Sequence, residues 1–178
     1  MKIVYLFFVI LMIHQDNNAI IYHSKTDQNT NNWYVLNDGV MGGLSKSTIS
    51  INTEGIALFK GYVTTENNGG FASVRYAFKT KEVSPFTHVV LRVRGDGKTY
   101  QFRIKQKQEQ RHSYVATFST SGNWETITLP LADFYPSFRG KKLDIPNYTA
   151  TTMEEIAFLI GNKTKEIFHL EVKSIILK

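Results

Sequence analysis

Apolar and polar residues alternate along most of the chain after residue 45. The alternation has a period of two and is clear in residues 71–78 (FASVRYAF), where Ala72, Val74, Tyr76 and Phe78 share one face. It recurs in residues 47–51, 56–63, 88–94, 99–106, 113–118, 124–129, 156–160 and 167–177. Many short alternating segments with turn residues between them are typical of an all-β sandwich or barrel. We therefore predict an all-β domain with few short helical turns.

Turn residues between these segments predict how neighbouring strands connect. The stretch RGDGK (94–98) has Asp96-Gly97 at its tip, and Asp-Gly is a preferred hairpin pair. The stretch TSGNW (120–124) predicts a second hairpin. Residues 131–135 (LADFY) and 151–157 (TTMEEIA) are the segments in which a helical turn is expected.

The N-terminal residues have a different pattern. Lys2 precedes an apolar run at residues 3–13, and a polar stretch leads to Ala19. This order predicts a secretory signal peptide over residues 1–19, because the run is too short to span a bilayer as a mature helix. We expect a polar spacer at residues 20–30, one domain at residues 31–178, a secreted or periplasmic location, and no membrane span after leader removal.

Composition and motifs narrow the chemistry. The chain has no cysteine, which excludes disulfides, thiolate metal sites and cysteine nucleophiles. The glycine-rich stretch NDGVMGGLS (37–45) matches neither dinucleotide nor P-loop spacing, and no serine lies in a G-x-S-x-G motif. The net charge of +6 alone does not predict nucleic-acid binding. We expect no catalytic residues, no enzyme activity and no cofactor.

A structural calcium ion is the alternative to solvated turn carboxylates in the loops. Oxygen-bearing side chains suit this hard cation. The candidate ligands are Asn37, Asp38, Glu66 and Asp96, although their spacing matches no calcium loop.

Basic residues lie opposite the apolar rows of three predicted strands. They are Arg75, Arg92, Arg94, Arg103 and Lys105, with Gln101 beside them. If these strands are neighbours in one sheet, the side chains form a basic ladder that could hold carboxylate, sulfate or phosphate. The competing interpretation is a solvated sheet face whose Arg stems cover apolar surface.

Several stretches together resemble one family. They are WYVLNDGVMGGLS (33–45), FKGYVTTENNGGFASVR (59–75), VRGDGKTYQFRI (93–104), residues 114–140 and residues 156–175. Their order resembles that of the complex I intermediate-associated protein 30 family. The resemblance implies a two-sheet antiparallel jelly-roll sandwich similar to galactose-binding domains. It also implies a relation to the mitochondrial chaperones that hold assembly intermediates of respiratory complex I.

The resemblance implies structural roles for the motif residues. They are Asp38, Gly39, Met41, Gly42, Gly43, Gly69, Gly70, Gly95, Asp96, Gly97, Trp124 and Arg139. The glycines at 39, 42 and 43 would supply positive φ or close backbone approach, while Val40 and Met41 pack inward. Trp33, Phe71 and Trp124 are expected to be core or rim aromatics. Arg139 is expected to hold its loop through bonds to carbonyl groups.

Two functions follow from these expectations. The first is an exported, non-catalytic binding domain that engages a protein partner or assembly intermediate. The alternative is a carbohydrate-binding domain for an anionic or neutral glycan, with Trp33 or Tyr100 as the stacking ring. The binding residues expected in either case are Trp33, Arg75, Arg92, Arg94, Tyr100 and Arg103.

Overall fold

The computed structural model describes residues 18–178, which form two antiparallel β-sheets. The strands are β1 (Ala19–His23), β2 (Trp33–Val35), β3 (Lys46–Ile51), β4 (Ala57–Val63), β5 (Ala72–Glu82), β6 (His88–Arg94), β7 (Thr99–Lys105), β8 (Ser113–Ser119), β9 (Glu125–Pro130), β10 (Tyr135–Phe138), β11 (Lys141–Lys142), β12 (Thr152–Ile160) and β13 (Glu166–Leu177). The all-β prediction is confirmed. Residues 1–17 of the predicted signal peptide lie outside the described residues.

The two sheets share no strand. Sheet A has the order β3-β4-β13-β6-β9, and β1 also pairs with β13. Sheet B has the order β11-β10-β8-β7-β12-β5-β2. The twelve-residue β13 pairs with β4 through its N-terminal half and with β1 through its C-terminal half, while β6 lies on its other side. This strand therefore joins three segments that are distant in sequence into one layer.

The apolar rows predicted from the alternation meet between the two sheets. Val89, Leu91 and Val93 of sheet A are fully buried, as are Phe102 and Ile104 of sheet B. Burial of such rows removes apolar surface from water, which is the main favourable contribution to folding. Because side chains alternate along a strand, each sheet then presents its polar rows outward.

The N-terminal strand corrects the predicted polar spacer. Residues 20–30 contain most of β1, in which Tyr22 is fully buried. The Tyr22 hydroxyl donates to the Gly55 carbonyl at 2.5 Å, and its ring packs edge-on against Trp33 at 5.3 Å and Tyr76 at 5.8 Å. Residue 19, rather than residue 31, is therefore where the chain enters the sandwich.

Both predicted hairpins are wrong. Residues 94–98 connect β6 in sheet A to β7 in sheet B, and residues 120–124 connect β8 in sheet B to β9 in sheet A. Gly97 and Gly122 have positive φ, as tight turns require, yet these turns cross between layers. A local turn pattern does not distinguish a return within one sheet from a step to the other sheet.

The helical predictions are half right. Leu131–Asp133 is a 3-10 turn, as expected. Residues 151–157 instead contribute to β12, which pairs with β5 on one side and β7 on the other. Two further 3-10 turns, Asp38–Met41 and Glu66–Asn68, had no prediction.

Candidate functional site

A groove of about 610 Å³ lies on the outer face of sheet B. Its floor includes Arg75, Ala157 and Arg103, which are register neighbours on β5, β12 and β7. The same row continues beyond the groove to Tyr34 on one side and to Val115 and Tyr135 on the other. Its rim comes from the 3-10 turn at Asp38–Met41, residues 65–71, residues 138–140 and residues 161–163. The groove is thus a strand floor bordered by loops.

The buried Asp38 carboxylate positions one side of this rim. Its Oδ1 accepts from the Ser45 backbone N–H at 3.0 Å. Its Oδ2 accepts from the backbone N–H groups of Gly70 at 2.7 Å and Phe71 at 3.2 Å, and from the Ser45 hydroxyl. Burial alone would raise the pKa of Asp38, but these hydrogen bonds outweigh it and hold the pKa below its ordinary value. Asp38 therefore ties two loops together.

The loops around the Asp38 carboxylate need a glycine at some motif positions but not at others. Gly42 has a φ of +89°, and a Cβ on Gly43 would lie 2.4 Å from the Asp38 carboxyl carbon. A Cβ on Gly69 would lie 2.6 Å from the Thr64 carbonyl oxygen. Gly39 has neither a positive φ nor a neighbour within 4 Å of a built Cβ, so its predicted role is wrong.

The two apolar residues of the motif point outward. Val40 is 68% exposed and Met41 is 55% exposed, so the prediction that they pack inward is wrong. Because Asp38 holds the turn from its buried side, the following residues are presented at the groove rim. Leu44, close by in sequence, is also exposed.

The predicted basic ladder is divided between the two sheets. Arg75 on β5 and Arg103 on β7 lie in the sheet B groove, whereas Arg92 and Arg94 on β6 belong to sheet A. Arg94 pairs with Glu171, and its guanidinium carbon lies 5.1 Å from the centre of the half-buried Trp124 ring. The four arginines therefore do not form one site.

The predicted stacking rings are in the core. Trp33 is 6% exposed and Tyr100 is fully buried, so neither can stack on a ligand. Burial and the neighbouring Asp96 raise the pKa of the Tyr100 hydroxyl, which donates to Asp96 Oδ1 at 2.8 Å. The alternation already placed Tyr100 in the same row as Phe102, which was the signal for a core position.

The remaining motif residues shape turns away from the groove floor. Asp96 Oδ2 accepts from the His169 backbone N–H at 3.1 Å and from Lys98 Nζ at 3.0 Å. A Cβ on Gly95 would lie 2.4 Å from the Thr120 hydroxyl, so a side chain there would collide. The exposed Arg139 has its guanidinium carbon 5.4 Å from the Phe138 ring centre, a cation–π contact where bonds to carbonyl groups were predicted.

The calcium candidates do not converge. Within residues 18–178, no three acidic or histidine side chains lie together in an arrangement that could hold a metal ion, so Asp38, Glu66 and Asp96 do not form one site. Both Asp38 oxygens already accept from N–H and O–H donors. Asn37 Oδ1 accepts from the Ser47 hydroxyl at 2.7 Å and from the Ser73 backbone N–H at 3.3 Å.

Two of the basic side chains on the outer face of sheet B form ion pairs with Glu155, and Arg103 does not. Glu155 is 2% exposed and lies 3.4 Å from Arg75 Nη1 and 3.3 Å from Lys105 Nζ, and it accepts from the Tyr34 hydroxyl. Arg103 instead donates through Nε and Nη2 to Gln101 Oε1, at 3.0 and 2.7 Å. Burial lowers the pKa of Arg103 to about 10, with Arg75 contributing in the same direction. One cation of the floor therefore lacks the partner that the others have.

Several groove residues have no signal in the sequence pattern. They are Val40 and Met41 as surface groups, Glu155, Arg111, Phe138 and Lys163. Arg111 and Lys163 lie in connections between strands, where no period indicates orientation. The contacts of Glu155 with Arg75 and Lys105 depend on the strand order, which places β12 between β5 and β7.

The part of the chain that the structure describes contains no helix with the length and apolar character needed to cross a membrane.

Comparison with known proteins gives one family. The sequence model described as Complex I intermediate-associated protein 30 matches residues 22–172. A mouse (Mus musculus) relative named "Complex I intermediate-associated protein 30, mitochondrial" is 24% identical over 176 residues, which cover 86% of this chain and 54% of that protein. The chain thus spans about half the length of this curated relative.

Solved structures share the fold. The family 11 carbohydrate-binding module of a cellulosomal cellulase of Clostridium thermocellum superposes with a TM-score of 0.68 at 16% identity, covering 90% of this chain and 93% of the module. A structure of a family 11 module from Clostridium thermocellum in complex with a β-1,3-1,4-mixed-linked tetrasaccharide gives a TM-score of 0.62 at 17% identity, covering 82% and 88%. At such identities the similarity concerns the galactose-binding-like jelly roll alone.

Proposed function

Since the chain belongs to the complex I intermediate-associated protein 30 family, we propose that it is a non-catalytic binding protein that holds a protein partner or assembly intermediate in the sheet B groove. The observation that carries this proposal is the rim: Val40 and Met41 are exposed beside a charged floor. Methionine adapts its shape to varied partner surfaces and is common in peptide-binding grooves. Exposed apolar side chains grouped at a concave site are typical of interaction surfaces.

The groove chemistry supports binding rather than catalysis. Its buried carboxylate, Glu155, is already engaged by Arg75, Lys105 and Tyr34. A general base must be able to reach a substrate proton, which a carboxylate with three donors does less readily. Arginine stays protonated at neutral pH and supplies hydrogen bonds and charge to a ligand.

Carbohydrate binding is the competing function, because the fold is that of modules such as the one solved with a tetrasaccharide. Sugar rings generally stack on open aromatic faces. Three rings at or beside this groove have a cation over them: Arg75 over Tyr34 at 6.0 Å, Lys142 over Tyr135 at 5.7 Å, and Arg111 over Phe138 at 5.1 Å. Phe71, which also lines the groove, has none among residues 18–178. These contacts favour a protein partner.

A matched pair of variants tests the groove. Met41→Glu places a charge on the rim, and Ile167→Glu places one on sheet A, where Ile167 is 80% exposed. The partner is identified by crosslinking and mass spectrometry in the native host, purified, and titrated by calorimetry. Met41→Glu is expected to weaken binding by about tenfold or more, and Ile167→Glu to leave it unchanged.

Two results would overturn the proposal. Equal affinity for Met41→Glu and the unaltered protein would remove the groove as the binding surface. Saturable binding on a glycan array, lost in Met41→Glu and without any protein partner, would establish the carbohydrate function instead.

Export is the second component of the proposal. It rests on the leader pattern of residues 1–19, and β1 begins at Ala19, so cleavage after Ala19 would leave residues 20–23 available to pair with β13. N-terminal sequencing of the protein from its host is expected to start at Ile20. A mature protein that retains Met1 would contradict cleavage, and recovery from the cytosol would contradict export.

A further inference from the structure

The groove carries an excess of positive charge. Among the described residues that line it, five are cationic and one is anionic: Arg75, Arg103, Arg111, Arg139 and Lys163 against Glu155. Low-dielectric walls strengthen the field of charges grouped in a cleft and raise the local concentration of oppositely charged ligands. The groove is therefore suited to an anionic ligand.

Arg103 is the cation of the floor with unused binding capacity. A guanidinium has five N–H donors, and two of them point to the neutral oxygen of Gln101. Among residues 18–178, no carboxylate lies within salt-bridge distance of Arg103, whereas Arg75 has Glu155. Arg103 is half-buried, and its remaining N–H groups are open to the groove, where an acceptor of a ligand can bind them.

The surroundings of Arg103 leave room for a ligand. Its neighbour on β12 is Ala157, a small residue, which separates Arg103 from Arg75 across the floor. Gln101 fixes the guanidinium at two of its nitrogens, so its orientation is set before a ligand arrives. Preorganised donors lose less entropy on binding than mobile ones.

We propose that Arg103 is the central contact of a carboxylate subsite, and that the segment held in the groove is an acidic peptide segment of the partner. This inference rests on the proposed function. An Asp or Glu side chain can accept two parallel N–H bonds from one guanidinium, which is the geometry that arginine recognises best. The aliphatic rim at Val40 and Met41 then contacts the apolar side chains beside the acidic residue.

Direct binding of probes tests the subsite. The purified protein is titrated with a fluorescein-labelled glutamate decapeptide, a glycine-serine decapeptide and oligogalacturonate at low salt. The glutamate peptide is expected to bind saturably and the neutral peptide not to bind. Arg103→Gln is expected to weaken the glutamate peptide about tenfold, the equivalent of one lost charge-assisted bond pair.

Two control variants separate charge from folding. Arg92→Gln removes a cation from sheet A and is expected to leave glutamate binding within about twofold, because Arg92 lies on the other sheet and does not line the groove. Arg103→Lys keeps the charge without the planar fork and is expected to bind with intermediate affinity. Thermal melts of all variants show whether each is folded.

The following outcomes would overturn the inference. Glutamate binding that Arg103→Gln leaves unchanged would exclude Arg103, and no binding of the glutamate peptide would exclude an acidic peptide. Oligogalacturonate binding alone, dependent on Arg103, would assign the subsite to a glycan. A purified partner that Met41→Glu releases and Arg103→Gln retains would preserve the proposed function while refuting the acidic segment.

Discussion

The Asp38 carboxylate accepts hydrogen bonds from residues in two loops, and burial shields it from water. Its pKa lies below the ordinary value in the folded protein, so it stabilises the fold fully above pH of about 4, the value expected in the unfolded chain. That stabilisation is lost as the pH falls through the lower folded-state pKa. One residue thus links acid stability to the geometry of the groove rim.

Asp38→Asn is expected to lower the free energy of unfolding by about 1.5–3 kcal/mol at pH 7, because an amide replaces an anionic acceptor opposite several donors. Urea titrations at pH 7 and at pH 3 or below measure the effect, and the difference from the unaltered protein is expected to shrink at the acidic pH. Glu109→Gln, at an exposed position, serves as the control. A difference that stays constant with pH would show that the Asp38 charge is not involved.

The glycines of the same motif permit a comparison between neighbouring positions. Gly42 has a φ of +89°, and Gly39 has an ordinary φ with open space around it. Gly42→Val is expected to destabilise the protein by roughly 1–3 kcal/mol, the cost of forcing a branched residue into that backbone region. Gly39→Val is expected to have a much smaller effect. Equal melting temperatures for the two variants would contradict a backbone role for Gly42.

At the scale of elements, residues predicted to be a spacer form β1, and Tyr22 of this strand lies in the core. Tyr22→Ala is expected to cost about 3–5 kcal/mol, the range for truncating a buried aromatic residue. Tyr22→Phe removes only the bond to Gly55 and is expected to cost about 1 kcal/mol. Ile20→Ala, at a 49% exposed position of the same strand, is expected to stay within about 0.5 kcal/mol. Chemical denaturation in which Tyr22→Ala matches Ile20→Ala would exclude β1 from the fold.

The alternation of apolar and polar residues predicts which side chains of a strand are buried, but not which strands are neighbours. A period of two orients side chains within a strand, so the apolar rows of β6 and β7 were correct. The period carries no information about which sheet a strand joins. Arg92 and Arg103 are close in sequence, yet a turn that crosses between layers places them on opposite sides of the molecule. The candidate site could therefore not be located without knowing which strands are neighbours. Of the predicted binding residues, only Arg75 and Arg103 lie in the groove.

At the scale of the whole molecule, each outer face has one arginine with a neutral acceptor, Arg92 on sheet A and Arg103 on sheet B, but the Arg92 contact is exposed whereas the Arg103 contact is partly buried. On sheet A, Arg94 has Glu171, and Arg92 Nη1 donates to Thr126 Oγ1 at 3.3 Å. On sheet B, Arg103 is desolvated enough for burial to lower its pKa to about 10, with Gln101 as its neutral acceptor. A basic group whose pKa falls on folding costs stability while it is charged, and at neutral pH this cost is present in full.

This asymmetry allows a stability measurement to separate a binding residue from a structural one. Arg103→Met is expected to raise the free energy of unfolding by about 0.5–2 kcal/mol, because an apolar side chain fills the site without a desolvated charge. Arg92→Met on sheet A is expected to change it by about 0.5 kcal/mol or less. Chemical denaturation at pH 7 gives both values. A loss of stability in Arg103→Met would mean that Arg103 supports the fold, since a residue kept for ligand binding stabilises the complex at the expense of the free protein.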